Sequence, residues 1–284
     1  MLTPLRGKQG VRLLGPPDLD RVRALLAADP VTHVFMADRV ESTKLDTRWL
    51  GGRVYGYVVD GELLALCHHA ANLVPVGSQP AALRAFAERA LADGRACSSI
   101  FGPEDAVLGL WDLLRERWGP ARSLRPGQPV LSMSSESAVT PDPRVRVVRL
   151  DELDVVYPAS VAMFTEEMGV SPEAGGAPGA YRARVAQLIT QGRLLARIEN
   201  GRVLFKAEIG AVTPAACQVQ SVYVDRVCRG RGLATQGMAT VVATTLRAWA
   251  PIVTLYVNAD NAAARRVYDT VGFERTGTFA TVLL

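Results

Sequence analysis

Lysine is almost missing from this chain of 284 residues: Lys8, Lys44 and Lys206 are the only three, so nearly all of the 32 basic side chains are arginine. No stretch has the dense basic character of a nucleic-acid binder, and the net charge of +4 is mild. No apolar run approaches the ~20 residues that span a bilayer. Met1 to Val11 carries no apolar core of a secretory signal. Cysteine is sparse and scattered, since Cys67, Cys97, Cys217 and Cys228 form neither a CxxC pair nor a metal-ligand spacing. His68 and His69 are adjacent, so on a strand they face opposite sides and do not share a metal. These absences argue against a zinc module, a disulfide framework and a membrane span. The expectation is a cytoplasmic protein with reduced thiols and no metal.

What is present points to packed cores and an anionic ligand. Apolar residues make up 49% of the chain, and its length is about twice that of a usual domain. Abundant Ala, Val, Gly and Arg match the codon bias of a GC-rich bacterium. Asp60-Gly61 and Asn200-Gly201 each sit between two β-rich runs, which predicts two hairpins. Val145-Arg146 and Leu153-Asp154 repeat Val11-Arg12 and Leu19-Asp20 at the same spacing. Asp260-Asn261-Ala262 echoes Glu104-Asp105-Ala106. Three matches in one order suggest an internal duplication. The Pro-, Ser- and Gly-rich stretch between the copies reads as a linker, giving domains at 1–125 and 143–284 joined by 126–142. The second copy reads as strand, helix, helix, three antiparallel strands, helix, strand, helix, strand, an α+β order.

The most informative stretch lies in that second copy. The β-rich run Gln218 to Val224 feeds the basic turn Arg226-Val227-Cys228-Arg229-Gly230-Arg231-Gly232, which opens directly into a helix at Leu233-Ala234-Thr235. Glycine allows close backbone approach, and the first N–H groups of a helix point at whatever occupies the turn. Such a turn suits a polyphosphate. A dinucleotide fingerprint would need a third glycine where Thr235 stands, and a P-loop would need a lysine, so neither nucleotide motif fits.

Arg229-x-x-Gly232-x-Ala234 resembles the [QR]xxGx[GA] signature of the GNAT superfamily of acyl-CoA N-acyltransferases. Asn261, Tyr268 and the pair Gly272-Phe273 stand where that family has its Asn, Tyr and GF. The resemblance covers Val145 to Leu284. Gly277 to Leu283 and Met163 to Glu167 look more specifically like an actinobacterial tandem subfamily whose N-terminal half has no known role. The tandem layout is similar to mycothiol synthase, with no match at the level of substrate.

The resemblance implies a GNAT fold, a mixed and mainly antiparallel sheet flanked by helices, in tandem with a degenerate GNAT-like N-terminal domain. It implies acetyl-CoA as co-substrate and a primary amine as acceptor, either a small molecule or a protein amine, with direct transfer in a ternary complex. Backbone groups of Val222, Tyr223 and Val224 would hold the pantetheine arm. The N–H groups of Arg229, Gly230, Arg231, Gly232, Leu233, Ala234 and Thr235 would bind the pyrophosphate. Asn261 would contact the pantetheine side, and Tyr268 would protonate the leaving sulfur. Tyr268 also reads as a packing residue of its helix and Asn261 as an N-cap.

The acceptor amine must lose a proton before it attacks. With a pKa near 10.4, fewer than about one lysine-like amine in a thousand is neutral at pH 7, so a base is wanted. The strand before the turn offers no carboxylate. Glu208, on the preceding strand, is the candidate base. Glu166 and Glu167, placed by the sequence in a loop running from Thr165, are acceptor-site candidates or a solvated acidic loop. The missing strand glutamate leaves a second reading open, an acyl-CoA-binding sensor or interaction module without transfer activity. In the N-terminal half the turn is replaced by Gly77-Ser78-Gln79-Pro80, which has no arginine and loses an N–H donor at proline. That half should not bind coenzyme A.

Overall fold

Arg12 and Arg146 make the same local structure twice. Each donates two hydrogen bonds to a carboxylate six residues on, Asp18 at 2.9 and 2.5 Å and Glu152 at 2.8 and 2.6 Å. That carboxylate in turn accepts from the backbone N–H three residues before it, Gly15 at 3.1 Å and Arg149 at 2.9 Å. The result is a strand, a 3-10 turn and a helix held at a fixed angle in both copies.

The computed structural model describes residues 9–174 and 178–284. It divides into two compact units. The first runs through Val130 and adds Tyr256–Asp260 and Thr276–Leu284; the second comprises Leu131–Leu255 and Asn261–Arg275.

In chain order the first copy of the pattern is β1 (Gln9–Leu13), α1 (Leu19–Ala27), α2 (Val34–Thr43), a one-turn α3 (Thr47–Leu50), β2 (Arg53–Val59), β3 (Glu62–His69), β4 (Asn72–Val76), α4 (Pro80–Asp93), β5 (Ser99–Pro103), α5 (Glu104–Trp118) and β6 (Ser123–Met133). The second is β7 (Arg146–Val147), α6 (Leu153–Met168), α7 (Pro178–Thr190), β8 (Leu194–Glu199), β9 (Arg202–Val212), β10 (Cys217–Val224), α8 (Leu233–Ala248), β11 (Val253–Tyr256), α9 (Ala262–Val271) and β12 (Glu274–Leu283). Apart from α3, the order is the same. Both hairpin turns form with both residues left-handed: φ is 51° and 88° at Asp60-Gly61, 50° and 71° at Asn200-Gly201.

The first unit's strands run β1-β2-β3-β4-β5-β12-β6 and the second's run β11-β10-β9-β8-β7. Most neighbours are antiparallel, with β4/β5 and β10/β11 parallel. The α+β expectation holds. In the first unit the two faces of the sheet bury separate cores, because side chains alternate along each strand. Val54 packs with Val22, Leu26 and Val40 of α1 and α2. Tyr55, its neighbour, packs with Phe86, Leu110 and Leu114 of α4 and α5, together with Ala280 and Val282 of β12. In the second unit Val156, Val185 and Leu188 of α6 and α7 cover Leu194 and Ala196.

The stretch expected as linker is a correction. Residues 126–133 belong to β6 despite Pro126, Gly127 and Pro129. Gln128 is 2% exposed and fully engaged. It donates to Asn258 Oδ1 at 2.7 Å and accepts from the Thr281 hydroxyl at 2.7 Å. Pro129 offers its carbonyl to Val257 N–H at 3.3 Å. A proline keeps its acceptor, and here the acceptor is what the neighbouring backbone needs.

Candidate active site

Strand β10 is irregular where the site begins. Its pairing with β9 shifts once between Gln218 and Val219 and again after Gln220, which lies opposite Glu208; it resumes at Tyr223 opposite Lys206, so Ser221 and Val222 bulge out. Ser221 has φ of 53°, the left-handed conformation such a bulge demands. On its other edge β10 pairs with β11 only at Cys217 and Gln218. Beyond Gln218 the two parallel strands part, and the backbone of Val222, Tyr223 and Val224 lies past the last paired position.

The turn that follows is built from its own side chains. Asp225 accepts from Val227 N–H at 3.1 Å and is clamped by Arg202 at 2.6 and 2.8 Å. The Arg202 guanidinium holds the Asp225 carboxyl below the usual carboxylate range, against a smaller effect of burial. Gly230 and Gly232 have φ of 75° and 78°, which a side chain makes costly by roughly 1–2 kcal/mol. No heavy atom would lie within 4 Å of a Cβ at either position, so the turn is open as well as tightly curved. Gly232 is the N-cap of α8 and supplies no side chain, leaving the N–H groups of Leu233, Ala234 and Thr235 uncapped. An open cradle ending in uncapped helix donors fits a pyrophosphate. Arg231 is exposed beside it.

The arginines on either side are engaged elsewhere. Arg226 donates to Glu166 Oε1 at 2.7 Å, and Arg229 donates to Glu166 Oε2 at 2.6 Å and to the Val224 carbonyl at 3.1 Å. Partial burial opposes the Glu166 anion, but the two guanidiniums outweigh it and keep its carboxyl below its ordinary value. Glu166 and Glu167 are not in a loop. They occupy the last turn of α6, which continues to Met168 and ends at Gly169 with φ of 71°. The glycine as helix stop was legible, but the Gly/Pro-rich residues after it drew the expected boundary too early.

Glu208 is buried at 4% exposure beside a fully buried lysine, Lys206, whose ammonium donates to Glu208 Oε1 at 2.6 Å and to the Ser221 carbonyl at 3.4 Å. The second carboxylate oxygen accepts from Gln220 Nε2 at 3.4 Å. Gln220 has room only because residue 210 is glycine: a Cβ there would overlap its carboxamide. Across from this group the Tyr181 hydroxyl donates to the Ser160 carbonyl at 3.1 Å. Its pKa is pushed well up by burial and then by the Glu208 charge. Lys206, Gln220 and Tyr181 escaped the sequence reading. The signal was two charged residues at alternate positions of an otherwise apolar strand, Phe205-Lys206-Ala207-Glu208.

Tyr268 is buried on α9 with its ring edge-on to Phe273 at 5.8 Å. Burial, with a contribution from the Glu167 charge, raises its pKa well above that of free tyrosine. Such a phenol stays protonated at neutral pH and can donate a proton. Asn261 caps α9, its Oδ1 accepting from Ala264 N–H at 3.0 Å, and remains exposed. Among the described residues no hydrogen bond joins Tyr268, Asn261 or Arg231 to Glu208.

In the first unit the corresponding junction is closed. Gly77 also has positive φ, at 92°, but a Cβ there would meet Ala65 Cβ at 2.9 Å and Gln79 Oε1 at 2.7 Å. Helix α4 starts at Pro80, which has no N–H to offer a ligand, and its N-cap Gln79 donates instead to the Leu64 carbonyl at 3.4 Å. Among the described residues no group of His, Cys, Asp and Glu could hold a metal ion, and no helix is long and apolar enough to cross a membrane.

Comparison with known proteins bears on both halves. Residues 52–156 match a domain of unknown function (DUF4081), and residues 183–273 match the acetyltransferase (GNAT) family. Mycothiol acetyltransferase of Brachybacterium faecium is 32% identical over 145 residues, which are 48% of this chain and 44% of that protein. The match thus spans under half the length of this curated relative. A GCN5-related N-acetyltransferase from Sphaerobacter thermophilus superposes with a TM-score of 0.62 at 18% identity, covering 99% of this chain and 96% of the other. A tandem GNAT protein from the clavulanic acid biosynthesis pathway gives 0.56 at 15% identity, covering 96% and 98%. At those identities the structures show the fold alone.

Proposed function

We propose, from the premise that this chain carries a GNAT-family acetyltransferase domain, that it transfers an acyl group from acyl-CoA, acetyl-CoA foremost, to a primary amine. One active site, in the second half, does this by direct attack of the amine. The observation that carries the reading is the contrast between two turns of one duplicated fold: at Gly230 and Gly232 a Cβ would meet nothing within 4 Å, whereas at Gly77 it would meet Ala65 and Gln79, and a proline opens the helix that follows.

Acetyl-CoA supplies the activated acyl group as a thioester. The chain's residues do the rest. The uncapped N–H groups at Gly232–Thr235 receive the pyrophosphate, and the backbone of Val222–Val224, past the last position that β10 pairs with β11, would pair with the pantetheine amides, Arg229 giving up the Val224 carbonyl it holds. Glu208, oriented at both oxygens by Lys206 and Gln220, takes the proton that the ammonium must lose, directly or through a water. Tyr268, kept protonated by burial, returns a proton to the departing sulfur. Asn261 would contact the pantetheine side while capping α9. Glu167, exposed in the last turn of α6, remains the acceptor-site candidate and would favour a cationic acceptor.

The experiment is release of free thiol from acetyl-CoA in the presence of a panel of primary amines, small and peptidic. Amine-dependent release supports transfer. Tight acetyl-CoA binding with no release on any amine would instead support a sensor.

A further inference from the structure

Glu166 does something that neither the open turn nor the base requires. Its two carboxylate oxygens are divided between two arginines of the coenzyme turn, Arg226 at 2.7 Å and Arg229 at 2.6 Å. Each bond joins residues some sixty positions apart, the last turn of α6 and the segment between β10 and α8. Arg229 is anchored independently of this bond, since its Nε donates to the Val224 carbonyl and its guanidinium lies 5.9 Å over the Tyr223 ring. Only its Nη2 is committed to Glu166. The neighbouring acid of the turn, Asp225, is already clamped by Arg202.

A carboxylate and a phosphate make the same planar, charge-assisted contacts with a guanidinium, and an arginine can serve one or the other. We infer that Glu166 is an internal stand-in for the phosphate: it occupies Arg226 and Arg229 in the free protein and is exchanged for the pyrophosphate when coenzyme A binds. The exchange frees the end of α6, the helix that carries Glu167, so binding at the coenzyme turn is coupled to the acceptor side. This rests on the reading of the turn as the coenzyme A site. Reciprocity then holds: whatever stabilises the Glu166 contacts weakens coenzyme A by the same factor.

The test is calorimetric titration of the full chain with coenzyme A. Glu166→Gln removes both of these exposed ion pairs and is expected to tighten binding about two- to thirtyfold. The gain must vanish when Arg226→Gln and Arg229→Gln are combined with it, because the arginines are what Glu166 withholds. A gain that persists without the arginines would be a through-space effect of charge and would overturn the inference. Equal affinity of wild type and Glu166→Gln would overturn it too, while leaving the coenzyme site standing. Absence of binding in both proteins would remove the coenzyme reading and this inference with it.

Discussion

Glu208 divides its carboxylate between Lys206 and Gln220, and that division makes different substitutions fail in different ways. Removing one partner of a buried ion pair leaves an uncompensated charge, at a cost of about 3–5 kcal/mol, whereas replacing both by neutral groups is often tolerated. Glu208→Gln and Lys206→Met are therefore each expected to lower the urea midpoint substantially. The double variant should recover most of that stability while its amine-dependent thiol release stays about 10²–10⁴ below wild type. Recovery of turnover along with stability would show that Glu208 only packs. Tyr268→Phe keeps the ring and its contact with Phe273, so acetyl-CoA affinity should hold while turnover falls roughly 10². A tenfold or smaller loss would make the hydroxyl dispensable. Tyr268 and Asn261 stand out as candidates because their motif is local to one helix and its cap. Lys206 left only a partial signal, two charges at alternate positions of an apolar strand; that both are buried depends on partners from another strand, Gln220 and the Ser221 carbonyl in the bulge.

Among the elements, β3 carries a titration that should be visible in stability. His68 is 3% exposed, neither ring nitrogen has a hydrogen-bond partner, and burial together with the Arg39 charge pulls its pKa down to about 4. In the unfolded chain a histidine titrates near 6.5. As pH falls from about 6.5 to about 4 the unfolded state takes up a proton that the folded state refuses, so stability declines on acidification. The loss is about 1.4 kcal/mol per pH unit, roughly 3 kcal/mol in all. Urea midpoints at pH 7.5 and pH 5 should differ in wild type and differ less in His68→Gln; identical shifts in the two proteins would contradict this. Element boundaries show where sequence reading stops. The hairpins at Asp60-Gly61 and Asn200-Gly201 were legible because the turn chemistry is encoded in two residues. β6 was not, since Pro126, Gly127 and Pro129 have the composition of a linker, and the strand exists through bonds to Asn258 and Thr281. Nothing near Gln128 in the sequence announces those partners.

At the scale of the whole molecule the duplication was readable from Val11-Arg12 and Val145-Arg146, but the assignment of the last strand was not. Periodicity marks Glu274–Leu283 as a strand without saying which sheet receives it, and residues from Thr276 onward belong to the first unit. Phe279, Ala280, Val282 and Leu283 are buried there, and β12 runs antiparallel to β5. Ending the chain at Arg275 should therefore destabilise the first unit, seen as rapid proteolysis within residues 9–130 and an earlier thermal transition. An unchanged melt would contradict that placement. The same duplicated plan frames the functional question, because two copies of one fold present one open turn and one closed. Calorimetric titration of the full chain with acetyl-CoA counts them. One site per chain, lost in Gly232→Asp, where a carboxylate would stand at the mouth of α8 on a backbone with φ of 78°, is the expected result. Two sites, none, or binding that survives Gly232→Asp would contradict it.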